Sequence, residues 1–158
     1  MKLHLKRGYY KDFRSCEAIA KGSLLYDYYF SEPGKMEKYI KSHCLGEASG
    51  HLFFAETIHG ERAGLMIVDQ GGFCNEYHYL SLLCVKEEFR SQGVGAWLLS
   101  QFERMGREDN KRKASLMVSD FNDRAFEFYK RNGYYELGMI PNAVQDGISE
   151  HLMLKDLC

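Results

Sequence analysis

Apolar positions along the chain follow two rhythms, one of period near 3.6 and one of short unbroken runs. Leu3 to Tyr10 is rich in aromatic and aliphatic residues and predicts a strand, followed by a helix from Asp12 to Lys21. Pro33-Gly34 opens a second helical stretch to about His43, because Met36, Tyr39 and Ile40 keep the i, i+3, i+4 spacing of one buried face. After Ser49-Gly50 the pattern shortens. His51–Thr57 and Ala63–Asp69 are apolar runs joined by His59-Gly60-Glu61, the arrangement of a hairpin. Gly71-Gly72 breaks the chain before Tyr77–Val85, whose continuous apolar character predicts a strand buried on both faces.

From Gly93 to Arg107 helical spacing returns, with Val94, Trp97, Leu98, Gln101 and Met105 on one side. Ala114–Val118 is a short buried strand. Asn122 to Arg131 reads as a helix with Asn122 as N-cap and Gly133 as its stop, its wide apolar face built by Ala125, Phe126, Phe128 and Tyr129. Tyr134–Met139 and Ser149–Lys155 predict two closing strands, separated by a loop with Pro141, Asn142 and Gly147. Strands flanked by long helices give an α/β or layered α+β class with helices on both sheet faces.

Composition narrows this picture. The 158 residues are 45% hydrophobic and 27% charged, with only two prolines, no low-complexity stretch and no internal repeat. One domain over 1–158 is expected. A formal net charge of -1 argues against a surface that neutralises nucleic-acid phosphates or anionic lipid, so Lys111-Arg112-Lys113 reads as a solvated loop. No stretch approaches the roughly 20 apolar residues needed to span a bilayer, and Met1–Lys11 lacks the apolar run of a leader. Cys16, Cys44, Cys74, Cys84 and Cys158 are odd in number and widely spaced, without a CxxC pair. Reduced thiols in a cytoplasmic protein and no metal site follow, with His43-Cys44 and Cys74-x3-His78 read as chance neighbours.

The chemistry concentrates after the central strand. Leu83-Cys84-Val85, a short loop, and Arg90-Ser91-Gln92-Gly93-Val94-Gly95-Ala96 make a strand, a turn and a glycine-rich entry into an apolar-faced helix. The first turn of a helix leaves backbone N–H groups unpaired at the positive end of its dipole, which suits phosphate oxygens. Gly93 and Gly95 permit close approach and unusual φ. No GxxxxGK[ST] string occurs, and Gly93-Val94-Gly95 lacks the third glycine of a dinucleotide loop.

Arg90-Ser91-Gln92-Gly93-Val94-Gly95 resembles the R/Q-x-x-G-x-G/A signature of the GCN5-related N-acetyltransferases, placed between the fourth strand and third helix of that family. Asn122 through Tyr134 is similar to the family's N-x-x-A-x-x-F/L-Y-x-x-x-G-F/Y helix, and Ile140–Ala143 with Ser149–Lys155 to its closing strand pair. The likeness is close from Leu80 onward and covers the first half in element order alone. It implies a central mixed, mostly antiparallel sheet of about seven strands, helices on both faces, and a splay between strands 4 and 5. It also implies acetyl-CoA as co-substrate and direct transfer to a primary amine of a small molecule or peptide, by a monomer or homodimer.

The resemblance assigns tasks to single residues. Leu83, Cys84 and Val85 would lie along the pantetheine arm, with main-chain bonds from Leu83 and Val85, and the amides of Gln92, Gly93, Val94, Gly95 and Ala96 would hold the pyrophosphate beside Ser91. Arg90 is expected near the phosphates, and Asn122 on the cofactor arm or simply as helix cap. Tyr129 would protonate the departing CoA sulfur, as a phenol with reference pKa near 10 can. A base is also needed, because an amine of pKa about 10.4 is neutral only about once in 2,500 molecules at pH 7. The family's acidic positions on the fourth and fifth strands here hold Tyr79 and Met117, and Ser81 stands at another. Glu76, His78, Ser81 through a water, or no base at all remain open. The acceptor would meet Leu24–Phe30 and Ile140–Gly147. A non-catalytic acyl-CoA sensor is the alternative to an enzyme.

Overall fold

A computed structural model describes residues 1–45, 50–72 and 75–158. Seven strands succeed one another in the order β1-β2-β3-β4-β5-β7-β6. They are β1 (Leu3–Arg7), β2 (Gly50–Thr57), β3 (Arg62–Asp69), β4 (His78–Val85), β5 (Lys113–Ser119), β6 (Tyr135–Pro141) and β7 (Ser149–Asp156). The helices are α1 (Phe13–Ala20), α2 (Lys35–Cys44), α3 (Val94–Glu108) and α4 (Asp123–Arg131). The β1–β2, β2–β3, β5–β7 and β6–β7 pairs are antiparallel, and β4–β5 is parallel. Contacts group the chain into two compact units, Met1–Asp69 with Ser81–Phe102 and Gln70–Leu80 with Glu103–Cys158.

In the first unit α1 buries Cys16, Ile19 and Ala20, and α2 buries Met36 and Ile40. These spacings of three and four bring one stripe of each helix onto the sheet. They join Leu52, Phe54, Leu65, Ile67, Leu82 and Cys84 in one core. The other side of β3 faces α3. A Cβ on Gly64 would lie 2.9 Å from the Cys84 carbonyl, 3.0 Å from Leu98 and 3.2 Å from Val94, so a larger residue would push α3 off. Helices therefore cover both faces.

Two local features depart from the sequence reading. Tyr26–Phe30 forms a π-helical turn, started by Ser23, whose hydroxyl donates to the Ala20 carbonyl at 2.6 Å and accepts the Tyr26 N–H at 3.1 Å. Such a turn has no period of its own in the apolar pattern, which is why it went unread. In β4 the buried His78, Leu80, Leu82 and Cys84 alternate with half-buried Tyr79, Ser81, Leu83 and Val85. The strand's apolar run is thus only partly core.

The second unit is organised around β5. Its parallel register with β4 runs from His78↔Ala114 to Leu80↔Leu116 and stops, although β5 continues to Ser119. On its other side β5 pairs with β7 from Lys113↔Asp156 to Ser119↔Glu150. One face of this sheet carries helices. A Cβ on Gly106 of α3 would come within 3.1 Å of the His78 ring, and Phe126 of α4 packs on His151 at 4.5 Å between centroids. β6 closes the edge with mostly exposed residues. No helix among the described residues is long and apolar enough to cross a membrane.

Candidate active site

The first unit holds a loop shaped for an anion. Between the 3₁₀ turn Glu87–Phe89 and the start of α3, Ser91 (φ 59°) and Gly93 (φ 84°) both take the left-handed conformation. For a non-glycine residue this costs about 1–3 kcal/mol, so Ser91 is held there by the loop around it. Left-handed residues in such a turn aim successive amides to one side, as in anion-binding nests. The Trp97 N–H donates to the Gly93 carbonyl at 2.9 Å, which leaves the N–H groups of Val94, Gly95 and Ala96 ahead of the helical ladder at the positive end of α3. A Cβ built on Gly93 meets nothing within 4 Å. The space on the Gly93 side of the loop is open.

Arg90 is held at the end of β4. Its Nε donates to the Val85 carbonyl at 3.1 Å and its Nη1 to the Gly22 carbonyl at 3.2 Å. Nη2 is buried and has no hydrogen-bond partner among the described residues. The guanidinium braces the end of β4 against the segment after α1. Nearby, Gln92 Nε2 donates to the Glu88 carbonyl at 2.8 Å, and Lys86 pairs with Glu88 at 2.6 Å. Along β4 the side chain of Cys84 is core, and burial pushes its thiol up to about 12. Only its main chain can serve a ligand. Tyr39 of α2 donates to the Ser81 carbonyl at 3.2 Å.

In the second unit Asn122 caps α4. Its Oδ1 accepts the Ala125 N–H at 3.2 Å, and its own N–H donates to the Ser119 carbonyl at 2.9 Å. Tyr129 lies buried in the last turn of α4, edge-on to Phe128 at 5.1 Å and to Tyr134 at 5.7 Å. The Tyr134 N–H donates to the Tyr129 carbonyl at 3.0 Å, and the Tyr134 hydroxyl to Glu103 Oε1 at 3.3 Å. Burial, and then the Glu103 charge, hold the Tyr134 phenol far above its ordinary range, so it stays a donor. Lys155 Nζ donates to both oxygens of buried Glu103 at 3.0 Å and to the Asn132 carbonyl at 2.8 Å. Gly133 (φ 91°) lets the chain turn around that ammonium. The helix end that carries Tyr129 is thereby tied to α3 and β7.

The open choice of base is narrowed by burial. His78 is fully buried against Gly106, on the helix-covered face. Glu76 is exposed, and Ser81, Tyr79 and Met117 are half-buried. One carboxylate escaped the sequence reading. Glu150, at the start of β7, is 3% exposed and accepts a hydrogen bond from the Ser119 hydroxyl at 2.7 Å. Strand parity puts it with Leu152, Leu154 and Asp156, a mixed pattern that does not single it out in the sequence. Among the described residues no group of three or more His, Cys, Asp or Glu side chains could hold a metal. Cys74 lies outside the described residues.

Residues 13–134 match the model of the acetyltransferase (GNAT) family, well over half of the chain. The chain belongs to the GNAT family. Within it, a thialysine N-epsilon-acetyltransferase from Bos taurus is 29% identical over 96 residues, covering 55% of this chain and 56% of that protein. The chain thus matches about half the length of this curated relative. Among solved structures, a GNAT-family acetyltransferase from Desulfovibrio desulfuricans superimposes with TM-score 0.81 at 15% identity, over 99% of this chain and all of that one. A chimera of spermidine N-acetyltransferase SpeG from Vibrio cholerae with hSSAT gives 0.77 at 16% identity, over 99% and 96% of the two chains. These likenesses carry the GNAT fold, with its strand order and parallel β4–β5 pair.

Proposed function

We propose that this GNAT domain, read as one unit of function over 1–158, is an acetyl-CoA-dependent N-acetyltransferase. It would act on a primary amine of a small molecule or peptide by direct transfer in a ternary complex. The observation that carries the reading is the pair of left-handed residues Ser91 and Gly93 opening α3 directly after β4. The amides of Gln92 through Ala96 would take the pyrophosphate oxygens, and the main chain of Leu83 and Val85 would run beside the pantetheine arm, with Cys84 between them. Asn122 would add a contact from the head of α4. Relatives named for thialysine and spermidine support an aliphatic amine as acceptor.

Tyr129 would supply the proton. As the amine nitrogen attacks the thioester carbonyl, charge builds on sulfur, and a phenol of reference pKa near 10 is a competent donor to a leaving thiolate. The free thiols of Cys16, Cys44, Cys84 and Cys158 support a reducing, cytoplasmic setting. Calorimetric titration with acetyl-CoA, followed by a thiol-release screen over amines, polyamines, amino acids and peptides, tests the reading. Binding with turnover is the expected result. Binding without turnover on the whole panel would leave an acyl-CoA sensor, and absence of binding would remove the loop assignment.

A further inference from the structure

We propose that Glu150 is the general base that takes the proton from the acceptor amine, an assignment that rests on the transferase reading above. Register places it. Residues directly opposite in a sheet share a face, so Tyr79, Ser115, Met117, Ser119, Leu152 and Glu150 lie on one face of the second unit's sheet through the pairs Tyr79↔Ser115, Met117↔Leu152 and Ser119↔Glu150. The opposite face, with His78, His151 and Lys155, is the one that α3 and α4 cover. Tyr79 and Met117 are the two positions where an acid was sought and not found. Glu150 is diagonal to Met117 across the β5–β7 pair, a Cα separation of about 7–8 Å, which a glutamate side chain reduces to within reach of a group lying over Met117. The missing carboxylate is supplied from the neighbouring strand.

The burial of Glu150 fits a working group. Taking a carboxylate out of water costs several kcal/mol, and an apolar residue matching Leu152 and Leu154 would fill the position more cheaply. The Ser119 hydroxyl at 2.7 Å fixes the carboxylate's orientation. It sits where β7 leaves the loop closed by Asn142, whose N–H donates to the Ile148 carbonyl at 3.1 Å and whose Oδ1 accepts the Gly147 N–H at 2.8 Å. That loop is the stretch read from the sequence as an acceptor wall.

The step balances. Glu150 accepts one proton from the ammonium and frees the lone pair. Nitrogen attacks the carbonyl carbon, the C–N bond forms and the C–S bond breaks, and sulfur takes the Tyr129 proton. Tyr129 is reprotonated by the second proton shed from nitrogen, and the proton on Glu150 leaves to solvent.

The test compares two acceptors with acetyl-CoA at pH 7 in the intact protein: spermidine, whose amines are almost wholly protonated, and a simple alkoxyamine, already neutral. Glu150→Gln, which keeps size and the bond from Ser119, should lower kcat with spermidine about 100-fold, the scale of general base catalysis. It should change the alkoxyamine rate less than about threefold and leave the KM for acetyl-CoA unmoved, because a neutral nucleophile needs no base. Ser119→Ala, a gentler change, should show the same selectivity at about tenfold. Equal losses on both acceptors, or none, overturn the assignment. If the wild type transfers to neither acceptor nor to any amine of the screen, the transferase reading itself fails, and this assignment falls with it.

Discussion

The loop at the head of α3 and the side chains carried by α4 and β7 differ in what they are made of. The loop offers main-chain amides, aimed by two left-handed residues and open on the Gly93 side. Its chemistry is local, contained in seven consecutive residues. The second region works through side chains drawn from three elements and the turn before β6: Tyr129 from α4, Glu103 from α3, Tyr134 ahead of β6, and Lys155 and Glu150 from opposite faces of β7. Its chemistry depends on sheet register and helix packing. A backbone site tolerates most side-chain changes and fails when φ is disturbed, whereas a side-chain site fails at single atoms.

The largest effect should come from the loop. Gly93→Val forces a β-branched residue to φ 84° and places its methyl groups in the open space on that side of the loop. Left-handed backbone costs an L-residue about 1–2 kcal/mol even without branching. Together these should weaken CoA binding at least about 100-fold by calorimetry. Unchanged affinity would put the phosphate site elsewhere. The matching cut in the other region is Tyr129→Phe, which keeps the ring packing on Phe128 and Tyr134 and removes one oxygen. It should lower kcat about 100-fold with the acetyl-CoA KM unchanged. Equal losses in binding and turnover would make Tyr129 a packing residue.

The same contrast decides what could be read from the chain. β1 to β7 and α1 to α4 were each legible within a few residues, because apolar spacing and the stops at Gly60, Gly93 and Gly133 are local signals. The glycine loop was legible for the same reason. The turn Tyr26–Phe30 was hidden, since five aromatic and acidic residues in a row carry no helical period. Glu150 was hidden more deeply. Its relation to Met117 exists only once β5 and β7 are paired in one register, and a shift of one residue would move it to the other face. Arg90 was legible as a motif residue, yet its partners at Val85 and Gly22 are set by tertiary contacts.

Supports of the side-chain region should be costly to remove. Lys155→Met leaves Glu103, 7% exposed, with the neutral Tyr134 hydroxyl at 3.3 Å and, as its remaining cation, the more exposed Arg107 at 3.5 Å, and frees the Asn132 carbonyl at the end of α4. Breaking a buried ion pair from one side costs about 3 kcal/mol, the lower end of its range, since Arg107 remains. For a chain of this size that is a fall in Tm of about 6–12 °C. A double change, Lys155→Met with Glu103→Leu, should recover most of it, because the stranded charge is then gone. No recovery would mean that Lys155 acts on Asn132 alone.

The smallest effect tests whether a side chain can serve the backbone site. If Arg90 braces the loop, neither lysine nor glutamine can replace it, because one ammonium cannot hold the divergent Val85 and Gly22 carbonyls that a planar guanidinium reaches together. Both Arg90→Lys and Arg90→Gln should then weaken CoA about fivefold, and the dependence of affinity on salt should stay as in the wild type. A phosphate contact behaves otherwise. Lysine would keep most of the affinity, and glutamine would lower the slope of log affinity against log salt by about one. The salt titration therefore separates a brace from a ligand even where the two losses in affinity are alike, and a slope changed by glutamine alone would return Arg90 to the phosphates.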